Sequence, residues 1–93
     1  MLIAIDIGNS KIKVGLFEDY LKDNIKIISF DSDLKNINNI HKSINEYISE
    51  LNKDIKIIGC IISSVVPDLN DEIIIQMKNE LDIEPIIVDS NLV

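Results

Sequence analysis

The sequence predicts an α/β fold: a mixed sheet with helices on its faces, in the order strand, strand, strand, helix, strand, helix, strand. Three observations point to it. Residues alternate between apolar and polar from Lys11 to Phe17, the signature of a half-buried strand. Two stretches, Ile37 to Leu51 and Leu69 to Leu81, place apolar residues three and four positions apart, as one face of a helix does. Between them, Ile57 to Ile62 is a continuous apolar run of strand length.

Leu2 to Ile7 is a short apolar run at the start of the chain and predicts a central first strand. In the second strand Ile12, Val14 and Leu16 share one face, and Lys11, Lys13, Gly15 and Phe17 the other. Glu18 to Asp23 carries charged turn residues, Ile25 to Phe30 forms a third strand, and the three strands make a meander. Asp31 to Asn36 is polar and loop-like. Ile37, Ile40, Ile44, Tyr47, Ile48 and Leu51 then mark the first helix. Asp54 to Lys56 breaks it, and the run around Gly59 and Cys60 is expected to be a strand covered on both faces. Pro67 suits a first helical turn, because its missing N–H has no partner to lose there. Leu69, Ile73, Ile74, Met77 and Leu81 continue as the second helix, and Pro85 to Val88 is the last strand.

Composition narrows the function classes. With 93 residues, 46% apolar and 27% charged, the chain has the makings of one small globular domain. Isoleucine is used so heavily that no single Ile carries weight. The net charge of −7, the absence of arginine and the scatter of the lysines argue against non-specific nucleic-acid binding, which needs clustered cations. One cysteine, Cys60, cannot form an intrachain disulfide, which fits a reducing cytoplasm. No apolar stretch approaches the ~20 residues of a membrane span, and Asp6 interrupts the N-terminal run, so neither a signal peptide nor a membrane partner is expected.

The chemistry concentrates at Asp6-Ile7-Gly8-Asn9-Ser10, where the first strand turns into the second. A carboxylate at the carboxyl end of a strand can hold Mg²⁺ directly or through water. Gly8 lacks a Cβ, so it can take positive φ and let a phosphate approach the backbone. Asn9 and Ser10 supply turn chemistry and side-chain donors. Lys11 and Lys13 share a side of the second strand and predict a cationic edge beside the turn. A hairpin with a surface Asp and solubilising lysines accounts for the same residues without a ligand.

Other candidates have plainer readings. Ser63 and Ser64, at the carboxyl end of the fourth strand, are cleft residues or turn and cap residues before the second helix. His41 stands among polar neighbours and reads as solvated. Cys60 reads as core. Glu46, Glu50, Asp68, Asp71, Glu72 and Glu80 read as solvated helix faces. No second Cys or His is present to build a metal cluster.

The element order is ribonuclease H-like, shared by nucleases and by the actin, sugar-kinase and Hsp70 superfamily. Within it, Met1 to Lys11, then Gly15-Leu16-Phe17, and later Ile61-Ile62-Ser63-Ser64-Val65-Val66-Pro67, resemble the N-terminal half of type III pantothenate kinase. The resemblance implies a bacterial enzyme moving the γ-phosphoryl group of ATP to the hydroxyl of pantothenate, in the first committed step towards coenzyme A. It implies that Asp6, Ile7, Gly8, Asn9, Ser10, Lys11, Ile12 and Lys13 form an ATP-binding phosphate loop. Asp6 would organise a divalent metal such as Mg²⁺, and the complete enzyme would be a homodimer using a monovalent cation such as K⁺. Ser10 stands where Thr is commoner in the family and keeps the hydroxyl. Lys11 stands where a neutral Asn is frequent and adds charge.

By the same resemblance residues 1–93 are a single N-terminal lobe of a two-lobed kinase. The general base, the pantothenate pocket and the second phosphate motif belong to a second lobe absent from this sequence. No catalytic residue is therefore expected here, and the chain by itself should not phosphorylate pantothenate. Two other classes share the topology. A non-enzymatic ribonuclease H-like module would oligomerise and ignore nucleotide. A nuclease would need several carboxylates converging on metal ions, and Ser63 and Ser64 stand where a second acid would help.

Overall fold

The computed structural model describes residues 1–18, 25–51 and 54–89. Five strands form one mixed sheet: β1 (Leu2–Ile7), β2 (Lys11–Phe17), β3 (Ile25–Asp31), β4 (Gly59–Ser64) and β5 (Ile86–Asp89). Their spatial order is β3-β2-β1-β4-β5, with β1 central as expected. The β1, β2 and β3 meander is antiparallel, and β4 and β5 run parallel to β1. Most of the expected Glu18 to Asp23 turn lies outside the described residues.

Register follows from the alternation in β2. Ile12, Val14 and Leu16 pair with Ile7, Ile5 and Ile3, and on the other side of β1 the same residues pair with Ser64, Ile62 and Cys60. All of these are buried on one face. A one-residue slip would move every apolar side chain of a strand to the opposite face, so the pairing is strongly specified.

Three helices cover that face: α1 (Leu34–Ile37), α2 (Ile40–Glu50) and α3 (Asn70–Leu81). Ile37, Ile40, Ile44, Ile73 and Met77 are fully buried against the strands. The expected single helix from Ile37 is thus two, parted at Asn38 and Asn39. The first begins inside the expected loop, because the Asp33 carboxylate accepts the Asn36 N–H at 2.7 Å and caps it. Pro67 opens a single 3₁₀ turn to Leu69 before α3 continues. Asp82 ends α3 in the left-handed conformation, with φ 53°, a place more often held by glycine.

The expectation that helices cover both faces, with β4 buried on each, is not met. β3 and β4 are parallel, and the connections from β3 to β4 and from β4 to β5 both cross the sheet in the same direction. Right-handed crossovers therefore lay their helices on the same side. The opposite face stays open: Ile61 is 50% exposed in the middle of it, flanked by Ile25, Ile27, Ile86 and Val88. The β4 strand also starts at Gly59, two residues later than its apolar run.

Cys60 lies in the core as expected, 3% exposed, and burial pushes its thiol up to about 11. Only the thiolate is nucleophilic, so a disulfide reagent should modify native protein slowly and unfolded protein at once. Prompt labelling of the native state at neutral pH would contradict this packing. Because the folded state holds the proton more tightly, this contribution to stability is complete below the ordinary thiol range and fades as pH climbs towards 11.

Candidate functional site

The carboxyl ends of the parallel strands β1, β3 and β4 meet at the turn between β1 and β2. In open α/β sheets such an edge is where ligands collect, because the loops leaving neighbouring strands converge there. Asp6 sits one residue from the end of β1, directly opposite Lys13 on β2 and Ser63 on β4. The three form a polar row on the open face. They border a depression of about 350 Å³ whose apolar floor includes Ala4, Gly15, Phe17 and Ile61. The Asp6 carboxylate is exposed.

The turn is closed by the Gly8 N–H, which donates to the Lys11 carbonyl at 2.9 Å. Gly8 does not adopt positive φ, against expectation: among the described residues only Asp82 does. Its need for glycine is one of space, since a Cβ at residue 8 would lie 3.0 Å from the Lys11 carbonyl oxygen. Two neighbouring segments hold the turn from outside. The Val65 N–H donates to the Ile7 carbonyl at 3.0 Å. Ser32, just past β3, donates its N–H to the Ser10 carbonyl at 3.0 Å and its hydroxyl to the Gly8 carbonyl at 2.8 Å. The amide N–H groups of Asn9 and Ser10 have no partner among the described residues.

Lys11 and Lys13 share the open face, but they do not make the expected cationic edge. Lys11 Nζ lies 2.5 Å from Asp31 Oδ1, its cross-strand neighbour on β3. The Lys11 ammonium, through this bond and its charge, holds the Asp31 carboxyl below the usual carboxylate range. Both side chains are more than half exposed, so the pair adds little stability and is weakened by salt.

The residues expected at the site divide by side of the sheet. Asp6, Lys11 and Lys13 face out, and Asn9 and Ser10 are exposed in the turn. Ile7 and Ile12 are fully buried under the helices, so they can offer a ligand their backbone alone. Ser63 belongs to the open row. Ser64 points into the core, where its Oγ accepts the Val66 N–H at 3.0 Å and turns the chain towards Pro67. Among the described residues no three His, Cys, Asp or Glu side chains converge as a metal cage.

His41 is not solvated as expected. Its side chain is 15% exposed, and its Nδ1 lies 2.9 Å from the Gln76 side-chain carbonyl, which also accepts the His41 backbone N–H at 2.7 Å. The carboxylates Glu46, Glu50, Asp68, Asp71 and Glu72 are exposed as read, and Glu80 is exposed too but stands with its Oε2 3.7 Å from His41 Nε2. Sequence reasoning passed over Asp31, Ser32 and Gln76. Their polar atoms matter through partners 20 to 39 residues away, and no local spacing marks such pairs.

The family model for type III pantothenate kinase matches residues 2–93. The chain belongs to this family. It is 40% identical over 93 residues to a type III pantothenate kinase of Ehrlichia canis, covering 98% of this chain and 34% of that protein. The Malacoplasma penetrans and Finegoldia magna type III pantothenate kinases are 34% and 33% identical, with 90% and 99% of this chain and 31% and 35% of those proteins covered. The chain thus spans about a third of the length of these family members. A solved Ppx/GppA family member from Aquifex aeolicus overlays with a TM-score of 0.48 at 12% identity, over 98% of this chain and 35% of that one.

Proposed function

We propose that this chain is a ribonuclease H-like, nucleotide-phosphate-binding lobe of an ATP-dependent kinase that phosphorylates pantothenate in coenzyme A biosynthesis. The observation that carries this reading is the β1–β2 turn, where an exposed carboxylate stands beside two backbone amides that have no partner among the described residues, at the carboxyl edge of the sheet. Family membership supports the reaction, and the turn is where phosphate oxygens would bind. ATP would lie along Asp6 to Lys13, with the Asn9 and Ser10 N–H groups and the Lys13 ammonium facing its negative charge.

A single exposed carboxylate fits Mg²⁺, which keeps several waters and is held by one or two carboxylates together with substrate phosphates. Asp6 would hold it, and the ion would neutralise charge developing on the transferred phosphoryl group. Lys11, tied to Asp31, would orient the turn and is less free than Lys13 to meet a phosphate.

The open apolar face supports the assignment of residues 1–93 to one lobe of a longer enzyme. A self-contained small domain seldom leaves a contiguous apolar surface of this kind bare. In this reading pantothenate, the general base, the homodimer contacts and the monovalent cation belong to the complete cytoplasmic enzyme. The chain alone binds Mg-ATP weakly and does not transfer phosphate.

The test is an amide NMR titration of the chain with Mg-ATP. Saturable shifts are expected at Gly8 to Lys13 and in few other places. Asp6→Asn should weaken binding about tenfold with little change in melting, because its side chain is exposed. A well-dispersed spectrum whose turn stays silent at millimolar Mg-ATP would refute phosphate binding by this lobe, and unchanged affinity in Asp6→Asn would remove Asp6 from it.

A further inference from the structure

We infer that Ser32 is a positioning residue for the phosphate turn, a role that rests on the nucleotide reading above. Ser32 is the one described residue that bonds to both sides of Asn9: its hydroxyl donates to the Gly8 carbonyl and its N–H to the Ser10 carbonyl. A peptide carbonyl facing a phosphate repels it, whereas a peptide N–H attracts it. By drawing the Gly8 carbonyl towards the β3–α1 junction, Ser32 turns the Asn9 N–H of the same trans peptide the opposite way, towards a ligand, and its hold on the Ser10 carbonyl fixes the far end of the turn.

Ser32 is itself held on both sides. Before it, Asp31 ends β3 in register with Lys11 and forms the ion pair with that residue. The Asp31 carbonyl accepts the Asn36 side-chain amide at 2.9 Å and the Asp33 N–H at 3.0 Å. After it, Asp33 caps α1, whose Ile37 is buried in the core. The junction is therefore anchored to the sheet and to the helix layer, and a bond from it fixes the turn relative to both. A hydroxyl–carbonyl bond with a net strength near 1 kcal/mol corresponds to about a fivefold change in the population of the binding-ready turn.

Ser32→Ala removes the hydroxyl and keeps the backbone bond, and Ser32→Thr restores a hydroxyl. In the absence of nucleotide, hydrogen exchange at the Gly8 amide should be about fivefold faster in Ser32→Ala than in wild type. It should return to the wild-type rate in Ser32→Thr, with β1 amides such as Ile5 unchanged. Titrated with Mg-ATP, Ser32→Ala should bind about fivefold more weakly, and Ser32→Thr like wild type. Unchanged Gly8 exchange in Ser32→Ala, or a threonine variant that behaves like alanine, overturns the role of the hydroxyl. Wild-type affinity for Mg-ATP in Ser32→Ala overturns the positioning role and leaves the phosphate site standing. A wild-type chain that does not bind Mg-ATP overturns the phosphate site and Ser32's part in it together.

Discussion

Gln76→Leu should lower the free energy of unfolding by about 2–6 kcal/mol, since it strands one buried and one part-buried backbone group at ~1–3 kcal/mol each. Gln76 lies on α3, 7% exposed, and satisfies both sides of the break between α1 and α2. Its side-chain N–H donates to the Ile37 carbonyl at the end of α1, and its side-chain carbonyl accepts the His41 N–H in the first turn of α2. Helix ends leave such groups without intrahelical partners. Asn39, at the N-cap of α2, makes no side-chain capping bond, so α3 supplies one instead. Leucine has nearly the right volume and none of the polar atoms. For a chain of 93 residues, with a total stability of roughly 5–14 kcal/mol, the loss should show as a large shift in a urea denaturation midpoint. A variant with the wild-type midpoint would mean that water or a rearranged side chain satisfies these groups.

Gly8→Val should abolish detectable Mg-ATP shifts at the turn and cost about 1–3 kcal/mol of stability through overpacking. A Cβ there would stand 3.0 Å from the Lys11 carbonyl oxygen, the same atom that accepts the Gly8 N–H and closes the turn. The branched side chain has to push that carbonyl away, which lengthens the closing bond and shifts Asn9 and Ser10 relative to Asp6. Gly8→Ala should show the same effect in smaller measure. Thermal melting with a parallel Mg-ATP titration separates the two consequences. Wild-type values in both for the valine variant would show that the turn yields freely and that glycine is not required there.

Most of the fold could be read from the sequence because burial repeats with the geometry of each element. The alternation from Lys11 to Phe17 marks β2 and its buried face, and the four-residue spacing of Ile73, Met77 and Leu81 marks α3. The break at Asn38 and Asn39 was hidden because Ile37, Ile40 and Ile44 keep helical spacing across it. A periodic pattern records which side faces the core, and it does not record whether the backbone hydrogen bonds run on. At the candidate site, Asp6, Gly8, Asn9 and Ser10 stand out because they are contiguous. Gly8 does not use the positive φ that glycine permits; the Lys11 carbonyl 3.0 Å from where a Cβ would lie is what crowds a side chain there.

The sequence by itself determined the strands, the apolar faces of α2 and α3, the buried alternation that fixes register, and the polar turn that ends β1. It also carried the family, through two motif blocks that lie on neighbouring parallel strands. The tertiary structure alone decided that all three helices share one face, because the sense of each crossover depends on where strands sit in the sheet. It alone brought Ser32 and Asp31 to the turn, paired Lys11, and placed Gln76 between two helix ends. Each of these is a polar contact between residues far apart in the chain, and a polar residue's partner is chosen by the direction of its hydrogen bonds in space, which periodicity along the sequence does not encode.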